Sequence, residues 1–214
     1  GVAQELRGLI GAETENAYRT AIKLRPSFAP AYAHLGRLLR RRGLTKESAA
    51  AYDDAVKRSN DVATMILVAE VMQSEQRYSE SEKLLQSALN GDPKNPSAML
   101  LLGRAFTAQG KYEDAERVLR ANLTVSPNGF TANSLLGTLY TRQGKFEMAE
   151  SSLAEALKTV SGLEKRGLSQ QFEAVGDGFL KSGNRQAAER TYRQAIALDN
   201  ENQGLVNKLA KAQR

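Results

Sequence analysis

Chemistry at neutral pH needs nucleophiles, bases or metal ligands, and this sequence offers few. Its 214 residues contain no Cys and a single His, His34. That removes thiolate chemistry, Cys-based zinc or iron–sulfur sites and any metal site built on paired imidazoles. A nucleophilic relay around His34 has only Lys or carboxylates to complete it. The adjacent acids Asp53-Asp54 and Glu113-Asp114 point in different directions on a helix, which suits a solvated face rather than acid–base work. The stretch from Gly178 to Gly183 has phosphate-loop spacing, but Asn184-Arg185 follows where Lys and Ser or Thr are required. No strand precedes it, and Gly103 with Gly110-Lys111 has the right ending and the wrong gap. Asn122-Leu123-Thr124 is a formal glycosylation sequon at a helix packing position. The expectation is a protein that is not an enzyme and that holds no metal or cofactor.

Charge narrows the partners without naming one. Thirty Lys and Arg against 24 Asp and Glu give +6. Spread over this length, that bias permits an acidic partner and does not demand nucleic acid. The longest apolar runs, such as Ala98 to Leu102, are far shorter than a bilayer crossing, so no membrane insertion is expected. The chain opens on Gly1, which reads as a trimmed segment: cytoplasmic, or periplasmic or otherwise extracytoplasmic if a leader was removed. Aromatics at 6% and only 5 Pro leave a composition dominated by helix formers.

What must position any functional side chain is a repeat. Gly110-Lys111-Tyr112-Glu113-Asp114-Ala115-Glu116 recurs as Gly144-Lys145-Phe146-Glu147-Met148-Ala149-Glu150, and Gln76-Arg77-Tyr78-Ser79-Glu80-Ser81-Glu82 fills the same slot earlier. Apolar residues fall at helical spacing, as in Tyr32, Leu35, Gly36, Leu39 and Ala115, Val118, Leu119, Leu123. Gly43, Gly110, Gly144 and Gly183 are predicted to close the first helix of each unit in the left-handed conformation. Small residues at Gly36, Ala69, Gly103, Gly137 and Gly176 let the helices approach, so a bulky side chain there should cost about 1–3 kcal/mol. One helix pair cannot hide both its apolar faces, so neighbours must stack.

The pattern of a large residue, Leu-Gly, Tyr, Ala, an aromatic, Ala and Pro resembles the tetratricopeptide repeat. It is carried by Met99, Leu102, Gly103, Phe106, Gly110, Tyr112, Ala115, Leu119 and Pro127, with parallel sets in the other units. The resemblance implies an all-α, right-handed superhelical solenoid of antiparallel helix pairs. The division expected is a partial repeat at 1–28 and full repeats at 29–61, 62–95, 96–129, 130–163 and 169–202. An insertion at 164–168 and a capping helix at 203–214 complete it.

The resemblance also implies a concave groove, lined by the first helix of each repeat, that takes a protein or peptide segment. Aligning the repeats places Arg37, Arg40, Arg41, Ile66, Leu67, Leu100, Leu101, Arg104, Leu135, Arg142 and Lys181 there. The basic members outnumber Glu70, Glu173 and Asp177 in the same columns. An apolar floor with Arg walls suits an acidic segment with hydrophobic anchors. A solvated helix end accounts equally well for Arg40 to Arg42, and packing against neighbours for the leucines. The rival readings are a nucleic-acid-binding helical repeat and an accessory interaction domain of a larger enzyme. The first is disfavoured because the groove columns hold no stacking aromatic.

Overall fold

The computed structural model describes the backbone over 2–127 and 129–213 and the side chains over 11–127 and 129–213. The N-terminal side chains of the expected partial repeat at 1–28, and the last residue of the expected cap, lie outside the described residues. Among the described residues the fold is all α, with twelve helices and no strand. The chain forms two compact units, Gly1–Gln109 and Gly110–Arg214.

The first unit contains α1 (Val2–Leu24), α2 (Ala29–Arg41), α3 (Thr45–Arg58), α4 (Val62–Ser74), α5 (Tyr78–Gly91) and α6 (Pro96–Ala108). Local chemistry sets the ends. The side chains of Asp61 and Asn95 accept from backbone N–H groups in the first turns of α4 and α6. Gly43 ends the α2 turn at φ 79, whereas the matching turn after α4 uses Gln76 at φ 60. A side chain in that region is held there against its own preference. Helix α2 packs on α3 and α4, α4 on α5 and α6, and α1 on α2. Leu35, Leu39 and Ala51 form a core onto which Tyr18, Ile22 and Leu44 pack, so α1 shields the end of the α2–α3 pair. The Ser48 hydroxyl donates to the Gly36 carbonyl at 2.8 Å, and Ser81 donates to Ala69 at 3.1 Å in the next pair.

The second unit contains α7 (Tyr112–Val125), α8 (Phe130–Arg142), α9 (Phe146–Leu157), α10 (Lys165–Lys181), α11 (Arg185–Leu198) and α12 (Gln203–Ala212). Helix α10 has 17 residues, against 13 in α8, because Lys165 to Leu168 extend its N-terminus. Gly144 and Gly183 take φ 71 and 85 at the turns before α9 and α11. Close approach decides the packing here. A Cβ on Gly137 would lie 2.3 Å from Leu153, one on Gly176 2.6 Å from the Tyr192 ring, and one on Gly178 2.1 Å from the Phe146 ring. Gly178 thus gives Phe146 its seat within a helix, which explains a glycine that mimics a phosphate loop in the sequence. Leu205 of α12 is fully buried on this unit. No described helix is long and apolar enough to cross a membrane.

Candidate partner-binding surface

The first helices present the side chains singled out by sequence. On α2, Arg37 is half-buried and Arg40 and Arg41 are exposed. On α4, Ile66 is half-buried and Leu67 is exposed; on α6, Leu100 and Leu101 are half-buried and Arg104 is exposed. In the second unit Leu135 of α8 is half-buried, while Arg142 at its end and Lys181 at the end of α10 are exposed. Of the apolar members only Leu67 is exposed and the rest are half-buried, whereas Val68, Met72 and Leu102 of the same helices are buried.

The first unit brings α2, α4 and α6 together through polar contacts that the sequence did not announce. Gln73 of α4 is buried, and its Nε2 donates to the Leu101 carbonyl of α6 at 2.7 Å and to Ser81 Oγ of α5 at 3.0 Å. Its Oε1 accepts from Arg104. One amide therefore ties three helices and fixes Arg104. Arg40 pairs with Glu75 at 2.9 Å, where α4 ends. His34 stacks on Tyr18 with ring centroids 5.8 Å apart, and its Nδ1 lies 3.3 Å from Arg37. Burial, reinforced by Arg37, lowers the His34 pKa, and because a guanidinium can only donate, Nδ1 is the acceptor in this contact. Aligning the repeats puts Gln73 in the column of Arg40 without marking it as an anchor, since a glutamine reads as surface until its neighbours are known.

Tyr52 of α3 lies beneath this face with its ring 3.1 Å from where a Gly36 Cβ would be. The Arg77 guanidinium sits 4.4 Å from the ring centroid. Its hydroxyl is buried and has no hydrogen-bond partner among the described residues. Burial, with the Glu75 charge next, pushes this phenol up to about 12.

The second unit handles its acids differently. Glu173 and Asp177, which counted against the basic columns, are both paired with Lys208 of α12, at 2.8 and 2.6 Å. Asp177 also accepts from the Tyr192 hydroxyl at 2.7 Å. Gln171 links α10 to α8, its Nε2 donating to Thr138 Oγ1 at 2.8 Å and its Oε1 accepting from Ser134 at 2.8 Å. The sequon residue Asn122 is 1% exposed and out of reach of a modifying enzyme. Arg117 and Arg120 face outward from α7 and pair with Asp114 and Glu116, and Arg120 also donates to the Tyr140 hydroxyl.

Models of the tetratricopeptide repeat match the chain over 12–63 and 108–163, over 73–123, and over 172–205. Among solved structures, YrrB, a TPR protein with an unusual peptide-binding site, is 20% identical, with a TM-score of 0.59 over 91% of this chain and 97% of its own. PilW, a widely conserved type IV pilus biogenesis factor, is 16% identical, with a TM-score of 0.66 over 99% and 94%. A thermophilic TPR protein from Thermus thermophilus is 20% identical, with a TM-score of 0.56 over 86% and 98%. At these identities the likeness is one of fold. No curated protein matches the sequence. With these matches spanning most of its length, the chain belongs to the tetratricopeptide repeat family, whose repeats serve as protein–protein interaction modules.

Proposed function

We propose that the protein is a non-catalytic interaction scaffold whose first-helix surfaces receive an acidic peptide segment with apolar anchors. The observation that carries this reading lies in the first unit. Ile66, Leu67, Leu100 and Leu101 remain partly exposed on α4 and α6, which pack side by side, and Arg37, Arg40, Arg41 and Arg104 stand on α2 and α6. Apolar side chains left uncovered beside guanidinium groups favour a ligand that supplies both hydrophobic contact and carboxylates. Leu135, Arg142 and Lys181 offer the same chemistry on α8 and α10 of the second unit.

Charge complementarity can be tested without disturbing the internal contacts of Arg104 and Arg40. The probe is an acetylated, amidated peptide of alternating glutamate and leucine, titrated by calorimetry. Arg37→Glu with Arg41→Glu should weaken it roughly tenfold. Lys57→Glu with Lys83→Glu changes the net charge equally from exposed positions on α3 and α5 and should leave affinity nearly unchanged. Equal losses from the two pairs would reduce the effect to long-range charge and sink the groove assignment. Leu67→Ala should weaken the peptide without lowering the thermal midpoint, because Leu67 is already 37% exposed.

A further inference from the structure

Two tyrosines occupy the same place in two helix pairs and differ in one partner. Tyr52 packs its ring on Gly36, and Tyr192 packs its ring on Gly176. The residue after that glycine is Arg37 in the first case and Asp177 in the second. Tyr192 donates to Asp177 at 2.7 Å, whereas the Tyr52 hydroxyl donates to no group among the described residues. Tyr52 is 1% exposed, so its hydroxyl has lost water without gaining a replacement. The charged groups acting on it are Arg37 and Arg40 from α2, and Glu75 and Arg77 from the α4–α5 turn. Glu75 is held by Arg40 and makes no hydrogen bond to the phenol. A buried donor hydroxyl in the field of Arg37, Arg40 and Arg77 has the recognition chemistry of a carboxylate, and no carboxylate of this helix pair meets it.

We propose that Tyr52, Arg37 and Arg40 form a carboxylate-binding subsite. A Glu or Asp side chain of the partner segment takes the position that Asp177 fills for Tyr192. This deepens the reading of the first unit as a receptor for an acidic segment and rests on it. Arg37 contacts His34 and Arg40 pairs with Glu75, and the Arg40 side chain is 50% exposed, so a ligand carboxylate competes with Glu75 for Arg40 as it reaches the hydroxyl.

The test uses the blocked glutamate–leucine peptide and a twin in which every glutamate is glutamine, titrated into the full chain. Tyr52→Phe removes only the hydroxyl. It should weaken the glutamate peptide about tenfold, the scale of a hydrogen bond to a charged group, and leave the glutamine twin unaffected. Its thermal midpoint should stay level or rise, since an unpartnered buried hydroxyl is replaced by an apolar edge. Tyr192→Phe should lower the midpoint and leave peptide affinity alone. Arg37→Asp should supply the carboxylate in cis, raising the midpoint above that of Arg37→Ala and abolishing the glutamate preference. A glutamate preference that survives Tyr52→Phe undiminished would overturn the subsite while keeping the acidic-segment reading. Equal affinity for the two peptides, or binding of neither, would overturn both. Equal midpoints for Arg37→Asp and Arg37→Ala would refute the correspondence with Asp177.

Discussion

Two helix pairs, α2–α3 in the first unit and α10–α11 in the second, present the same ring-on-glycine contact under different restraint. Tyr192 presses to 2.6 Å of the Gly176 Cβ position and is anchored at its far end by Asp177, which Lys208 holds in turn. Tyr52 stands at 3.1 Å from the Gly36 Cβ position, and its hydroxyl has no anchor among the described residues. The second pair is thus closed by its own carboxylate, which a cation from α12 holds. The first keeps an unspent donor and leaves Arg37 half-exposed. The same ring-on-glycine contact thus has its hydroxyl paired within the chain in one case and left without a partner among the described residues in the other.

The strongest way to break this contrast is to loosen the second pair from its flank. Leu205 of α12 is fully buried, and Leu205→Ala should cost about 2–5 kcal/mol by denaturant titration. Because α12 also carries Lys208, the variant should expose Asp177 and Glu173 together. A cost under the low end of that range would show that α12 contributes little to closing the unit.

Next comes the glycine itself. Gly176→Ala should cost about 1–3 kcal/mol, since the buried ring it meets is tethered at both ends. Gly36→Ala meets an untethered ring at a longer distance, and the helix propensity gained, about 1 kcal/mol, offsets most of the crowding. Thermal melts of the two variants give the comparison directly. Equal destabilisation would mean that the hydroxyl anchor does not set the rigidity.

Tyr140 extends the contrast within the second unit. Its hydroxyl donates to Glu116 at 2.7 Å and accepts from Arg120 at 3.0 Å. The Tyr140 hydrogen bond holds the Glu116 carboxyl below the ordinary range. A carboxylate depressed by folding stabilises at neutral pH, and that stability is lost as pH falls through its folded pKa, below 4.5. Tyr140→Phe should cost about 1 kcal/mol at neutral pH. The gap to the parent should narrow on acidification, as read by melts across the acid range. A gap independent of pH would place the loss in packing.

The smallest effect belongs to the turn after α4. Gln76 holds φ 60 where Gly43, Gly110, Gly144 and Gly183 hold φ 71–85. Gln76→Gly should stabilise by about 0.5–1 kcal/mol, the strain released less the entropy added to the unfolded chain. Chemical denaturation would show it as a higher midpoint at unchanged slope.

Much of the fold was legible in the sequence, because helices and their ends are governed by neighbours a few residues away. Apolar spacing marked the amphipathic faces, Gly43, Gly110, Gly144 and Gly183 marked the turns, and Gly36, Gly137 and Gly176 marked the close approaches. Aligning the repeats placed Leu67, Arg41 and Arg104 on first helices and left open whether the leucine packs against a neighbour; in the fold all three are exposed. Sequence could not say which of these residues is already engaged. Arg104 is fixed by Gln73 from 31 positions away, Arg40 by Glu75, and Asp177 by both Tyr192 and Lys208. Tyr52 and Tyr192 look interchangeable in the repeat, and only packing reveals that one hydroxyl meets a carboxylate and the other does not. Hydrogen bonds and ion pairs act over a few ångströms, so their partners are chosen by how helices stack. A linear pattern fixes the faces those helices present, and tertiary structure alone decides which polar groups remain for a partner.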